Sequence, residues 1–84
     1  MFEIFFTAEA KKYLKKFDKQ NKIRIISSLE RIRIRPYPHV KKLVASPYFR
    51  LRVGKYRVIL DIDKGKLIIL VITIGHRKSI YKWL

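Results

Sequence analysis

The hydrophobic and polar positions change period along the chain, and each change predicts an element. FEIFF at the start is apolar and β-prone, and a three-to-four-residue period follows it. Ala10, Tyr13 or Leu14, and Phe17 make one stripe while Lys11, Lys12, Lys15 and Lys16 fill the other face, the pattern of an amphipathic helix. Thr7 can cap this helix, and Glu9 sits in its first turn, where negative charge is favoured. FDKQN interrupts the period, with Asp18 able to cap a second helix. There Ile25 or Ile26, Leu29 and Ile32 share one side, and Arg24, Arg31, Arg33 and Arg35 lie mostly elsewhere. Pro36 and Pro38 prevent the helix from continuing. Two basic helices joined by so short a turn predict an antiparallel hairpin whose apolar stripe packs on a sheet.

The second half of the chain supplies that sheet. After PYPHVKKLVASP come three strand-like runs, residues 48–53, 56–62 and 67–74. Gly54 at the first position of the two-residue loop Gly54-Lys55 fits a type II′ hairpin turn, and Gly65 in DKGK suits a turn with the glycine left-handed. Residues 67–74 are apolar at successive positions, as expected of an interior strand covered on both faces. The expected architecture is α+β: an N-terminal strand, an antiparallel helical hairpin, then a three-stranded antiparallel meander, in the order β-α-α-β-β-β. No repeat, low-complexity tract or linker is visible, and 84 residues allow one domain, 1–84.

The hairpin loop fixes a register. Val53 falls opposite Tyr56, Arg52 opposite Arg57, Leu51 opposite Val58, and Arg50 opposite Ile59. Phe49, Leu51, Val53, Tyr56, Val58 and Leu60 then share the core face, and Arg50, Arg52 and Arg57 share the other. Like charges directly across an antiparallel pair destabilise it by up to ~1 kcal/mol. Either the arginines splay into solvent along their aliphatic stems, or an anion takes up the charge they present.

Charge makes the second outcome relevant. Lys and Arg number 21 against 6 Asp and Glu, a formal net charge of +15, which points to nucleic acid, an anionic membrane or an acidic protein as partner. The absence of cysteine removes disulfides and thiolate chemistry and fits a reducing compartment, so cytoplasm is expected. MFEIFF is short and lacks a basic leader, and no apolar run approaches the ~20 residues of a membrane helix, so no membrane span is expected. Glu3, Glu9, Asp18, Glu30, Asp61 and Asp63 form no ligand pattern, so neither metal nor cofactor is expected. Gly75 is expected to break the last strand and aim His76, Arg77 and Tyr81 back across the end of the sheet. His39, in a proline-bracketed loop, reads as structural.

AEAKKYLKKF, VKKL, FRLRVGKYRVIL and IGHRKSIY, in this order, resemble the RelE toxin family of type II toxin–antitoxin systems, within the RelE/ParE superfamily, and look most like an archaeal RelE. The resemblance spans nearly the whole chain. It implies a ribosome-dependent endoribonuclease that cuts mRNA in the decoding site, inhibits translation, and is silenced by an acidic, RelB-like antitoxin in a hetero-oligomer. Arg50, Arg52, Arg57, Arg77 and Tyr81 fill the positions that the family uses for catalysis, with arginine at 50 and 52 where its best-studied members have lysine.

RNA carries its own nucleophile, the 2′-hydroxyl, so such a site needs in-line geometry, charge stabilisation at the phosphate and help with proton transfer. Arginine is a poor proton acceptor. His76 is therefore a candidate base or substrate contact, and Tyr81 a residue that stacks on or orients a nucleotide. Lys11, Lys12, Lys15, Lys16, Arg24, Arg31, Arg33 and Arg35 are candidates for RNA-backbone contact. Two other readings fit the same residues: a non-catalytic basic RNA-binding module and a ParE-like poison of DNA gyrase.

Overall fold

Thr7 turns the chain from strand to helix. In the computed structural model, which describes residues 1–76, its hydroxyl accepts the Ala10 N–H at 3.1 Å and donates to the Ile72 carbonyl at 2.6 Å. The first contact caps α1 (Ala8–Lys16), and the second ties that cap to the sheet. Asp18 caps α2 (Lys19–Ile32) by accepting the Asn21 N–H at 3.2 Å, so Phe17 and Asp18 alone separate the two helices. Ala10, Ile25, Leu29 and Ile32 are buried. Leu14 packs on the core while Tyr13 and Ile26 stay largely exposed, which settles both alternatives along the helical stripes.

Five strands form one sheet: β1 (Glu3–Phe6), β2 (Lys41–Lys42), β3 (Phe49–Val53), β4 (Tyr56–Asp63) and β5 (Ile68–His76), in the order β1-β5-β4-β3-β2. The α+β architecture matches the expectation, with β3, β4 and β5 as the antiparallel meander. β1 adds to it in parallel, pairing Glu3 with Ile68 through Phe6 with Val71. β2 and the preceding 3-10 turn (Tyr37–His39) lie in what the sequence presents as loop; Lys41 pairs with Arg50 and Lys42 with Phe49. β5 continues through Gly75 to His76, because Arg57 and Tyr56 of β4 still pair with those residues, so Gly75 does not break the strand.

The other turn also differs from expectation. Asp63 Oδ1 accepts the Lys66 N–H at 3.0 Å, and the left-handed residue is Leu67 (φ 56°) rather than Gly65. The Leu67 carbonyl then accepts the Glu3 N–H at 2.9 Å, opening the β1–β5 ladder.

The continuous apolar run in β5 has two causes. The register steps from Ile59–Thr73 to Leu60–Val71, leaving Ile72 as an extra residue whose carbonyl Thr7 takes. This bulge changes the phase of the strand, so Ile69, Val71 and Ile74 all reach the main core with Leu51, Val53, Val58 and Leu60. On the opposite face Ile72 joins Leu43, Tyr48 and fully buried Ile59 in a smaller cluster beneath the loop 43–48. No helix among the described residues is long and apolar enough to cross a membrane.

Candidate functional site

The hairpin register is the one the two-residue loop dictates: Val53 opposite Tyr56, Arg52 opposite Arg57, Leu51 opposite Val58, Arg50 opposite Ile59. Gly54 has φ +58° and Lys55 has no positive φ, the signs a type II′ turn requires. Leu51, Val53, Val58 and Leu60 accordingly enter the core beneath the helices, with Tyr56 packed against them. Phe49 lies instead at the sheet margin, edge-on to Tyr37 with ring centroids 5.7 Å apart and with Lys42 Nζ 5.9 Å from its ring centroid.

Backbone alternation sends Arg50, Arg52 and Arg57 to the other face. Arg52 is exposed, Arg50 is half-buried, and Arg57 is only 8% exposed, lying in register between Arg52 and Gly75. An arginine so far out of water is uncommon, and electrostatic interactions at such a position are less screened than at the surface. One open depression is lined by Arg52, Gly54, Lys55 and Arg57. A second, around the hairpin tip, is lined by Arg24, Ser27, Ser28 and Arg31 of α2 together with Arg52 and Gly54. A third is lined by Pro38, His39, Val40, Lys41, Arg50 and Arg52.

Arg52 borders all three depressions, and among the described residues none of them has an acidic residue in its wall. Backbone pairing holds the cations together against their mutual repulsion, which an anion would relieve. Phosphate suits the site chemically, because guanidinium forks donate paired hydrogen bonds to its oxygens. Among the described residues, no three His, Cys, Asp or Glu side chains gather in a way that could hold a metal ion.

The sequence candidates separate on this surface. Arg50, Arg52 and Arg57 come together, and Arg24 and Arg31 join them from α2; a Cβ placed on Gly54 would lie 3.1 Å from a terminal nitrogen of Arg24. Arg33 does not join. Its Nε donates to the Phe2 carbonyl and its Nη1 to Glu30, both at 2.8 Å, so its side chain fastens the N-terminal strand to the end of α2 instead of awaiting RNA. Lys11, Lys12, Lys15, Lys16 and Arg35 are exposed but line none of the three depressions.

His76 is also placed elsewhere. It pairs with Tyr56, its ring 5.9 Å away and edge-on, and Tyr56 packs on Phe17 on the helix side of the sheet, so His76 occupies the face opposite the arginines. Arg77 and Tyr81 lie outside the described residues. His39, Lys41 and Lys55 were not among the sequence candidates for this site; the VKKL segment that becomes β2 is the signal that could have found the first two.

Comparison with known proteins gives the same fold. A family described as "ParE toxin of type II toxin-antitoxin system, parDE" matches residues 4–81. A chain of the archaeal RelE–RelB complex from Pyrococcus horikoshii superposes with a TM-score of 0.81 at 21% identity, covering 93% of this chain and 97% of that one. The isolated E. coli RelE toxin gives 0.79 at 17% identity, with coverage of 98% and 93%. A chain of the RelB–RelE complex from Methanococcus jannaschii gives 0.70 at 25% identity, with coverage of 95% and 98%. No curated protein matches the sequence at a significant level.

Proposed function

The chain belongs to the ParE toxin family of type II toxin–antitoxin systems, and from that premise we propose that it is a ribosome-dependent endoribonuclease that cleaves mRNA in the decoding site and so arrests translation. The observation that carries this reading is the arginine register. Arg52 and Arg57 face one another across the hairpin, Arg50 precedes Arg52 by two residues on the same face, and among the described residues no acid lines the depressions they share. A purely binding module could grip phosphate with the same arginines, so cleavage products are what separate it from the nuclease.

In this reading a 2′-oxygen attacks the adjacent phosphorus. The 2′-O–P bond forms and the P–O5′ bond breaks, leaving a 2′,3′-cyclic phosphate and a 5′-hydroxyl. Arg52 and Arg57 stabilise the extra negative charge on the phosphorane oxygens, and Arg50 holds the chain on one side of it. Arg77 and Tyr81, the remaining residues of the family pattern, complete the charge clamp and orient a nucleotide. Arg24, Arg31, Arg35 and the α1 lysines contact ribosomal RNA backbone. An acidic, RelB-like antitoxin supplies the counter-charge in a toxin–antitoxin hetero-oligomer; an antitoxin whose binding ignored salt would contradict that assignment.

A translating extract tests the reading. The unsubstituted chain should cut message within codons, and Arg52→Ala and Arg77→Ala should each abolish most cutting while melting as the unsubstituted protein does. The description of the matching family favours one second reading, a gyrase-directed toxin. Inhibited DNA supercoiling with intact message would replace the nuclease by that reading, and ribosome binding without cleavage products would replace it by a binding module.

A further inference from the structure

The proposed reaction requires a group that accepts the 2′-hydroxyl proton, and the cations described above cannot readily serve. Arginine stays protonated, and a protonated lysine has no acceptor. His76, the histidine next to the family motif, lies on the far face against Tyr56. His39 lies on the near one. It is exposed, and it lines the same depression as Arg50 and Arg52.

Its position is built in. The 3-10 turn follows buried Pro36, and the His39 N–H donates to the Pro36 carbonyl at 3.1 Å. Pro38 fixes the backbone one residue before it, and Tyr37 anchors the turn edge-on against Phe49 of β3. Lys41 of β2 then pairs with Arg50 of β3, so the residue two places after His39 is locked to the arginine strand. The charged groups that share the depression with His39 are Lys41, Arg50 and Arg52. Tyr37 is turned to Phe49, and Lys42 points away to the Ser46 carbonyl. Histidine is the side chain that takes up and returns protons near neutral pH, and an imidazole beside a phosphate clamp suits attack by an adjacent hydroxyl.

We infer that His39 is the general base of this site, accepting the 2′-hydroxyl proton of RNA whose phosphate is held by Arg50 and Arg52. This inference rests on the nuclease reading above. The proton moves from the 2′-oxygen to the imidazole as the 2′-O–P bond forms. The departing O5′ takes a proton from water, and the imidazolium returns its own to solvent, so the cycle consumes no co-reactant.

The test uses the full chain on ribosome–message complexes, with His39→Gln, His39→Ala and Arg52→Ala side by side. Both His39 variants should cut ~10²–10⁴-fold more slowly while binding ribosomes and melting like the unsubstituted chain. The pH–rate profile of both His39 variants should lose the limb on which the rate rises with pH. Added imidazole should restore part of the rate to His39→Ala and none to Arg52→Ala. His39→Gln cutting at the full rate with an unchanged pH profile, while Arg52→Ala is silent, overturns the role of His39 and leaves the nuclease reading standing. Loss of ribosome binding in His39→Gln in step with cutting makes the residue a phosphate contact and likewise overturns it. Absence of cutting by the unsubstituted chain overturns both readings.

Discussion

On the helix side of the β3–β4 hairpin, Leu51, Val53, Val58 and Leu60 interlock with Ala10, Ile25, Leu29 and Ile32. On the opposite side the same strands carry Arg50, Arg52 and Arg57, and among the described residues apolar cover begins at Ile59, opposite Arg50, where it meets Leu43. The first surface is arranged to hold the chain together, and the second spends some of that stability to keep like charges adjacent. If the arginines act as proposed, stability and function are divided between the two sides of one hairpin, a division that substitutions and salt can probe from either side.

The largest expected effect acts on the cationic face as a whole. If six to ten phosphates are neutralised on binding, ribosome affinity should fall ~10³–10⁵-fold between 50 and 200 mM salt, measured by co-sedimentation. A flat response would mean that the charge is not what binds. Leu29→Ala, beneath the other face, should lower unfolding free energy by ~2–5 kcal/mol in a denaturant titration. Arg52→Ala should show the converse pattern. Cleavage should weaken by roughly 2.7–4 kcal/mol of transition-state stabilisation, while the midpoint of unfolding stays level or rises slightly. An Arg52→Ala protein that unfolds easily would show that the two faces are not independent.

Smaller effects refine the frame that holds the two faces. Thr7→Ala removes both the α1 cap and the bond to the bulge carbonyl of Ile72, and should cost ~1 kcal/mol, seen as a lower melting temperature. Leu67→Gly relieves an exposed left-handed leucine and should stabilise by roughly 0.5–1 kcal/mol, the left-handed penalty less the entropy of glycine. No change in cleavage should accompany either substitution.

Much of this division was legible from the chain. Gly54-Lys55 fixes the register, and the register alone separates the leucines and valines from the arginines. Thr7 and Asp18 announce the helix starts because their side chains bond locally. What escaped notice depends on contacts distant in sequence. The 3-10 turn and β2 form because Tyr37 meets Phe49 and Lys41 meets Arg50, pairings that no local period records. The histidines show the same limit: His76, within the IGHRKSIY stretch, falls on the helix side by strand alternation, whereas His39, set apart by prolines, is carried to the arginines by a two-residue strand. Arg33 is similar: its partner, the Phe2 carbonyl, lies 31 residues away. Gly65 is the local exception: its turn is closed by the Asp63 carboxylate three residues before Lys66, and Leu67 takes the left-handed position.

The parallel pairing of β1 with β5 has a consequence for synthesis. Among the described residues β5 is the one strand beside β1, and it is translated after the other four. A nascent chain thus carries its apolar opening segment without its sheet partner until α1, α2, β2, β3 and β4 have all been made. Stalled chains ending before residue 68 should leave the amino terminus open to protease, and protection should arrive abruptly once residues 68–76 clear the exit tunnel. The first strand made is thereby the one that waits longest for its neighbour.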